Sequence, residues 1–196
     1  GRICHEKEEV DVETVPTLER LLEITLLAND AKLKRLENGK LGVMGDPTEG
    51  ALITLANKWD MYSKDYEEAH PRKNELPFDS DRKMMTTFHE NIGKNPVVSF
   101  TKGAPDVVLS RCSYWKKNNG IVELNEELRE KISEVNQKFS KNALRVLALA
   151  YRSFEKMPEE ITVDEIEKEM IFVGLIRLVQ KRKKLLNFVN MLELYR

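Results

Sequence analysis

Four short segments hold the residues that could do chemistry: "GDPTEGAL" from Gly45, "FDSDRKMM" from Phe78, "TKGAPDVV" from Thr101 and "LRVLALA" from Leu144. Each sets polar or aromatic residues beside small ones. A bound adenine needs a flat apolar or aromatic partner for its face and an acceptor for its exocyclic amine, and a polyphosphate tail needs cations. The segments supply all three. Phe78 is either a stacking surface for a base or a core aromatic at the start of a sheet. Glu49 either accepts from the amine or serves the dipole of a helix that it helps to open. Lys83 and Lys102 are either nucleotide contacts or solvated surface lysines. Arg145 interrupts an apolar run, where a charge is costly unless it is paired or at a sheet edge. That cost marks it for function.

Other chemistries lack their residues. There is no GxxxxGK[ST] phosphate loop, no GxGxxG turn and no GxSxG nucleophile elbow. The histidines, His5, His70 and His89, stand beside no obvious nucleophile, and His89 reads as a strand-end or loop residue. Cys4 and Cys112 fit no zinc or redox spacing, and a reduced setting is the simplest reading. A net charge of -1, with 33% charged and 41% apolar residues, gives no general push toward nucleic acid or anionic lipid. Any anion site must be local. No apolar run approaches the roughly 18 residues of a membrane span, and the N-terminus lacks a signal-peptide pattern. The chain as given reads as soluble.

The elements that must position these residues follow from periodicity. "PTLERLLEITLLAND" carries a leucine-rich helical stripe from Pro16 and Thr17 to about Asn29. Asn38-Gly39 marks a hairpin turn. Asp46 or Thr48 can cap a helix whose apolar face includes Leu52, Leu55 and Trp59. Residues 84 to 89 and 97 to 102 alternate as an antiparallel hairpin, and Pro105 opens a short helix to about 112. A second hairpin turns at Asn119-Gly120, and Asn125 caps a long helix to about Asn142. "LRVLALAYRSF" and "MIFVGLI" are the most apolar strands and should lie centrally. Hairpins interleaved with helices predict an α+β fold, a largely antiparallel twisted sheet flanked by helices.

Taken together and in order, the four segments resemble those of the nucleotide-binding domain of P-type cation-transporting ATPases, most similar to the type II calcium pumps. The matching residues are Gly45-Asp46-Pro47-Thr48-Glu49, Phe78 through Met85, Lys102-Gly103-Ala104-Pro105-Asp106, and Arg145 through Ala150. The resemblance runs from about Leu21 to Ile176. It implies that Phe78 stacks on adenine, Glu49 approaches its amine, and Lys102 lines the base of the pocket, with Gly103 and Ala104 allowing close approach. It further implies that Lys83 and Arg145 attend to ribose and phosphates, that Met85 and Leu147 form apolar walls, and that Thr48 has a lesser part. ATP is the implied ligand, with Mg2+ in the parent enzyme. The implied partners are the phosphorylation and actuator domains, and the implied setting is the cytosolic side of an integral membrane protein.

The sequence contains neither the "DKTGT" that carries the phosphorylated aspartate in such pumps nor a "TGES"-like motif. The expectation is an excised domain that binds ATP weakly and is inactive alone. Residues 1–16 read as a lead-in, 17–176 as the nucleotide-binding domain and 177–196 as a basic amphipathic tail. Where the family runs on into "DPPR", this chain has Arg177-Leu178-Val179-Gln180. The tail is a divergent hinge, a vector-derived or frame-shifted end, or a helix packed on the domain. Ser80 stands where many calcium pumps have a basic residue, which predicts weaker phosphate affinity. The competing reading is a non-enzymatic protein-interaction module that uses the charged surface and the tail.

Overall fold

Alternating apolar residues in the central strands give both faces of a sheet something to bury, so helices must cover both sides. The computed structural model describes residues 4–5, 8–9, 15–35, 41–141, 145–181 and 184–188. A two-residue ladder, β1 (Cys4–His5) with β2 (Glu8–Glu9), precedes α1 (Pro16–Leu27). A hairpin of β3 (Lys32–Arg35) and β4 (Leu41–Met44) leads to α2 (Pro47–Ala56), and α3 (Ser63–Ala69) follows. The Asn38-Gly39 turn lies outside the described residues. Then come β5 (Asn74–Asp79), β6 (Met84–Ile92), β7 (Asn95–Gly103), α4 (Pro105–Ser110), β8 (Cys112–Lys117), β9 (Gly120–Glu123) and α5 (Glu126–Ser140). The last are β10 (Arg145–Phe154), α6 (Val163–Ile166), β11 (Met170–Lys181) and β12 (Lys184–Phe188).

The main sheet has the order β5-β6-β7-β10-β11-β8-β9, with β12 paired to β11. Its ladders are antiparallel except for β11 with β8. The fold is therefore α+β, and the two apolar strands β10 and β11 are central, as their composition predicts. On one face Val98, Phe100, Leu149 and Tyr151 pack against Leu21, Leu22 and Ile24 of α1 and Leu52 and Ile53 of α2. On the other, Ala148, Ala150, Phe172 and Leu175 meet Val108 of α4 and Ile132, Val135 and Phe139 of α5. Residues 148 to 151 thus alternate between the two cores. In β11 the register passes from Leu149↔Gly174 to Ala150↔Phe172, leaving Val173 as an extra residue. This bulge resets the alternation, so Val173 and Ile176 share one core while Phe172 and Leu175 share the other. Buried phenylalanines such as Phe100 and Phe172 each contribute about 2 kcal/mol through removal of apolar surface from water.

The structure corrects several sequence expectations. Phe78 lies inside β5 and is 64% exposed, which sets aside the core-aromatic alternative of its two readings. Pairing moves from Leu76↔Thr86 to Asp79↔Met84, so β5 has one residue too many, and Pro77 has no amide proton to give the ladder. The hairpin of β6 and β7 is longer than read, because polar Glu90 and Asn91 still belong to β6 and the chain turns at Gly93-Lys94. Arg145 is at the exposed first residue of β10, which removes the burial cost its apolar neighbours suggested. Beyond Ile176 the chain continues as strand to Lys181 and pairs with Lys184–Phe188. The rest of the tail, including Leu192 and Leu194, lies outside the described residues.

His89 is buried in mid-strand, not at a strand end. A neutral ring protonated on Nδ1 donates to the His70 carbonyl (2.8 Å), and Nε2 accepts from the Thr87 hydroxyl (3.0 Å). Burial pushes its pKa down to about 4, opposed by the hydrogen bond to the His70 carbonyl and assisted by the nearby Arg72 charge. Because the unfolded chain binds this proton near pH 6.5 and the folded chain does not, stability is complete above that pH and falls as the pH drops toward 4. Urea denaturation of the wild type between pH 6.5 and 5 should lose up to about 1.4 kcal/mol per pH unit from this group. His89→Gln should flatten the slope in that window, and an unchanged slope would assign it to other groups.

Candidate functional site

The site forms where the helical layer meets one end of the sheet. Asp46 is the N-cap of α2, its Oδ1 accepting from the amides of Thr48 (2.8 Å) and Glu49 (3.2 Å). Desolvation opposes ionisation of this carboxyl, but the hydrogen bonds from Thr48 and Glu49 and the nearby Arg145 hold it below its usual range. The cap fixes where α2 begins, and so where Glu49 points. Gly45, at φ 113°, turns the chain into the cap against Ala31, a conformation that a side chain would strain.

Glu49 is held from three sides. Its Oε2 accepts from the amides of Asp30 (3.0 Å) and Ala31 (3.1 Å), at the end of α1. Its Oε1 accepts from the Lys102 ammonium at 2.5 Å. Asn29 braces this arrangement by donating to the carbonyls of Thr25 and Glu49 and accepting from the Ala31 amide. Lys102 is 7% exposed, and burial pushes its ammonium below its ordinary value while Glu49 acts in the opposite direction. The pair therefore ties α2 and the end of α1 to β7.

A cleft of about 390 Å3 opens beside the pair, lined by Asp30, Asp46, Thr48, Glu49, Phe78, Lys83, Lys102, Gly103, Arg145 and Leu147. Adjacency in the sheet explains the gathering. Phe78 is the last residue but one of β5, Lys83 precedes β6, Lys102 and Gly103 end β7, and Arg145 and Leu147 lie at the start of β10. In an antiparallel order β5-β6-β7-β10 these positions fall at one edge of the sheet. Gly103 is needed there, since a Cβ would lie 2.4 Å from that of Met84 and 2.6 Å from the Lys83 carbonyl. The polar groups differ in what they have left to offer. Arg145 donates to the Thr48 hydroxyl at 3.0 Å, whereas Lys83 makes no ion pair with another described residue. Phe78 is the most exposed large apolar side chain described.

Eight of the site residues singled out from sequence thus line one cleft: Thr48, Glu49, Phe78, Lys83, Lys102, Gly103, Arg145 and Leu147. Met85 and Ala104 do not. Met85 pairs with Lys102 across β6 and β7 and is 1% exposed, and Ala104 is the N-cap of α4, its amide bonded to the Lys83 carbonyl at 2.9 Å. Asp30 is a lining residue that sequence reasoning missed. The only signal was the polar Asn29-Asp30 pair after the apolar helix, which reads equally as a helix end. Arg72 holds Asp30 at 2.7 Å and also donates to the Asn29 carbonyl at 2.8 Å. Among the described residues no group of three or more His, Cys, Asp or Glu could hold a metal ion.

Residues 17–180 match the family model described as "P-type ATPase, cytoplasmic domain N". The chain belongs to that family. It is 38% identical over 160 residues to a calcium-transporting ATPase of Listeria monocytogenes, and 40% identical over 160 residues to one of Bacillus cereus. These alignments cover 82% and 81% of this chain and 17% of each relative. Calcium-transporting ATPase type 2C member 1 of Homo sapiens is 34% identical over 139 residues, 69% of this chain and 14% of that protein. The chain thus spans about a sixth of the length of the bacterial relatives it matches. No helix among the described residues is long and apolar enough to cross a membrane.

The ion pair and the cleft's exposed cation should respond differently to mutation. Lys102→Met strips the counter-ion from a largely buried Glu49 and should cost about 3 kcal/mol in urea denaturation. Lys83→Met, at an exposed position of the same cleft, should cost less than about 0.5 kcal/mol. Equal losses would contradict a special role for the buried pair.

Proposed function

We propose that this chain binds ATP in the cleft and that, within a larger cation-transporting P-type ATPase, it presents the nucleotide to a phosphorylation domain. The observation that carries the reading is Phe78. A 64% exposed phenylalanine is unfavourable in water, and this one borders a cleft with Lys83, a cation that forms no ion pair among the described residues, on one side and a carboxylate, Glu49, on the other. A flat base, an exocyclic amine and a phosphate tail match those three features. Glu49 Oε1 keeps a lone pair beyond the one taken by Lys102, which suits an amine donor. Leu147 adds apolar surface, Gly103 keeps the floor low, and Lys83 and Arg145 serve ribose and phosphates.

The residues fit the nucleotide's base better than its full charge. Cleft cations are offset by Asp30, Asp46 and Glu49, and Ser80 adds no charge. The base would therefore dominate affinity, leaving the terminal phosphate for a neighbouring domain. Mg2+ would arrive on the phosphates in the parent enzyme. The parent would be an integral membrane protein with this domain on its cytosolic side, the actuator and phosphorylation domains as partners, and calcium as the transported ion by analogy with its relatives.

Isothermal titration tests the base-stacking assignment. Phe78→Ala should weaken ATP binding by roughly 1 to 3 kcal/mol, the scale for a base stacked on an aromatic side chain. Its urea midpoint should hold, because the ring contributes little to the core. Unchanged affinity would remove Phe78 from the site.

A further inference from the structure

The turn that carries Phe78 and Lys83 is fastened from the far side of the sheet. Thr86 and Thr101 pair across β6 and β7 one position from Met85 and Lys102, so their side chains face away from Lys102 and the cleft. Their hydroxyls are 2.8 Å apart, and Thr86 donates to Glu167 Oε1 at 2.6 Å. Glu167 is fully buried, and its backbone carbonyl accepts from Arg111 at 3.2 Å. Its carboxylate pairs with Arg82. The guanidinium of Arg82 also donates to the Pro77 carbonyl, in the peptide immediately before Phe78. Arg82 is itself absent from the cleft lining.

The local turn makes that fastening consequential. Asp79 Oδ1 accepts from the amides of Asp81 (2.9 Å) and Arg82 (2.7 Å), and the Asp79 carbonyl from that of Lys83 (2.6 Å). Lys83 sits at φ 56°, a left-handed conformation that costs a non-glycine residue free energy and needs surrounding contacts to persist. These bonds shape the turn but fix no orientation for Phe78, which follows the unpaired Pro77 in the bulge. Among the described residues, Arg82 alone of the turn's side chains joins β5 to the end of α6, through Glu167.

We propose that Arg82, anchored by Glu167, is a positioning residue that orients Phe78 toward the nucleotide from the opposite sheet face. The inference rests on the reading of the cleft as an ATP site. Lysine at position 82 keeps a charge for Glu167 but lacks the planar fork that reaches Glu167 and the Pro77 carbonyl together. Truncating Phe78 removes the group being positioned, so the effect of Arg82 should vanish with it.

A double-mutant cycle read by isothermal titration with ATP on the full chain tests this. Arg82→Lys should raise Kd about tenfold with Phe78 present and less than about twofold in the Phe78→Ala background, a coupling of about 1 to 1.4 kcal/mol. Melting temperatures taken alongside separate loss of fold, which would act alike in both backgrounds. Should Arg82→Lys not fold, Glu167→Gln carries the same cycle with the same expectation. Unchanged Kd with Phe78 present, or equal factors in both backgrounds, overturns the positioning role while leaving the ATP site standing. Absence of ATP binding by the wild type overturns both.

Discussion

The buried ion pair of Glu49 with Lys102 joins helix α2 to the sheet at the point where the cleft opens. An ammonium that is 7% exposed cannot keep its charge without a partner, and Glu49 is the partner. Satisfying it dictates much else. Helix α2 must start at Asp46, the end of α1 must offer the Asp30 and Ala31 amides, and β7 must reach Gly103 before turning into α4. The helical layer is thereby locked in register with the sheet edge.

The antiparallel order then does the rest of the gathering. Phe78, Lys102 and Arg145 line one cleft because strand ends and strand starts alternate at one end of the sheet. The two sheet faces divide the labour. One supplies Lys102 and Leu147 to the cleft, and the other buries polar Thr86, Thr101 and Glu167 behind it. A buried polar network of this kind destabilises unless its members are satisfied, yet it fixes a geometry that apolar packing alone would leave looser.

How much of this could be read from the chain depends on how local the determinant is. The helix caps at Asp46 and Asn125, the central strands and the α+β class follow from short-range periodicity and side-chain chemistry, and they agree with the structure. Nine residues of the cleft lie in the four short segments because each segment is a strand or helix end with its own small residues. Asp30 escaped because its role depends on the end of α1 lying beside α2. Glu167 escaped for the same reason, since it meets Arg82 only through packing between residues 85 positions apart. His89 was misread because the polar residues around it hide a continuing strand, and Phe78 kept two readings because the bulge at Pro77 takes it out of the regular alternation.

The central claim is that one cleft, built on the Glu49–Lys102 pair, holds a nucleotide by its base. The most direct measurement is a two-dimensional amide NMR titration of the chain with a non-hydrolysable ATP analogue. The account predicts that amides in residues 46–49, 78–83, 102–103 and 145–147 shift together along one saturable curve. Shifts confined to other residues, or none at millimolar nucleotide, would contradict it.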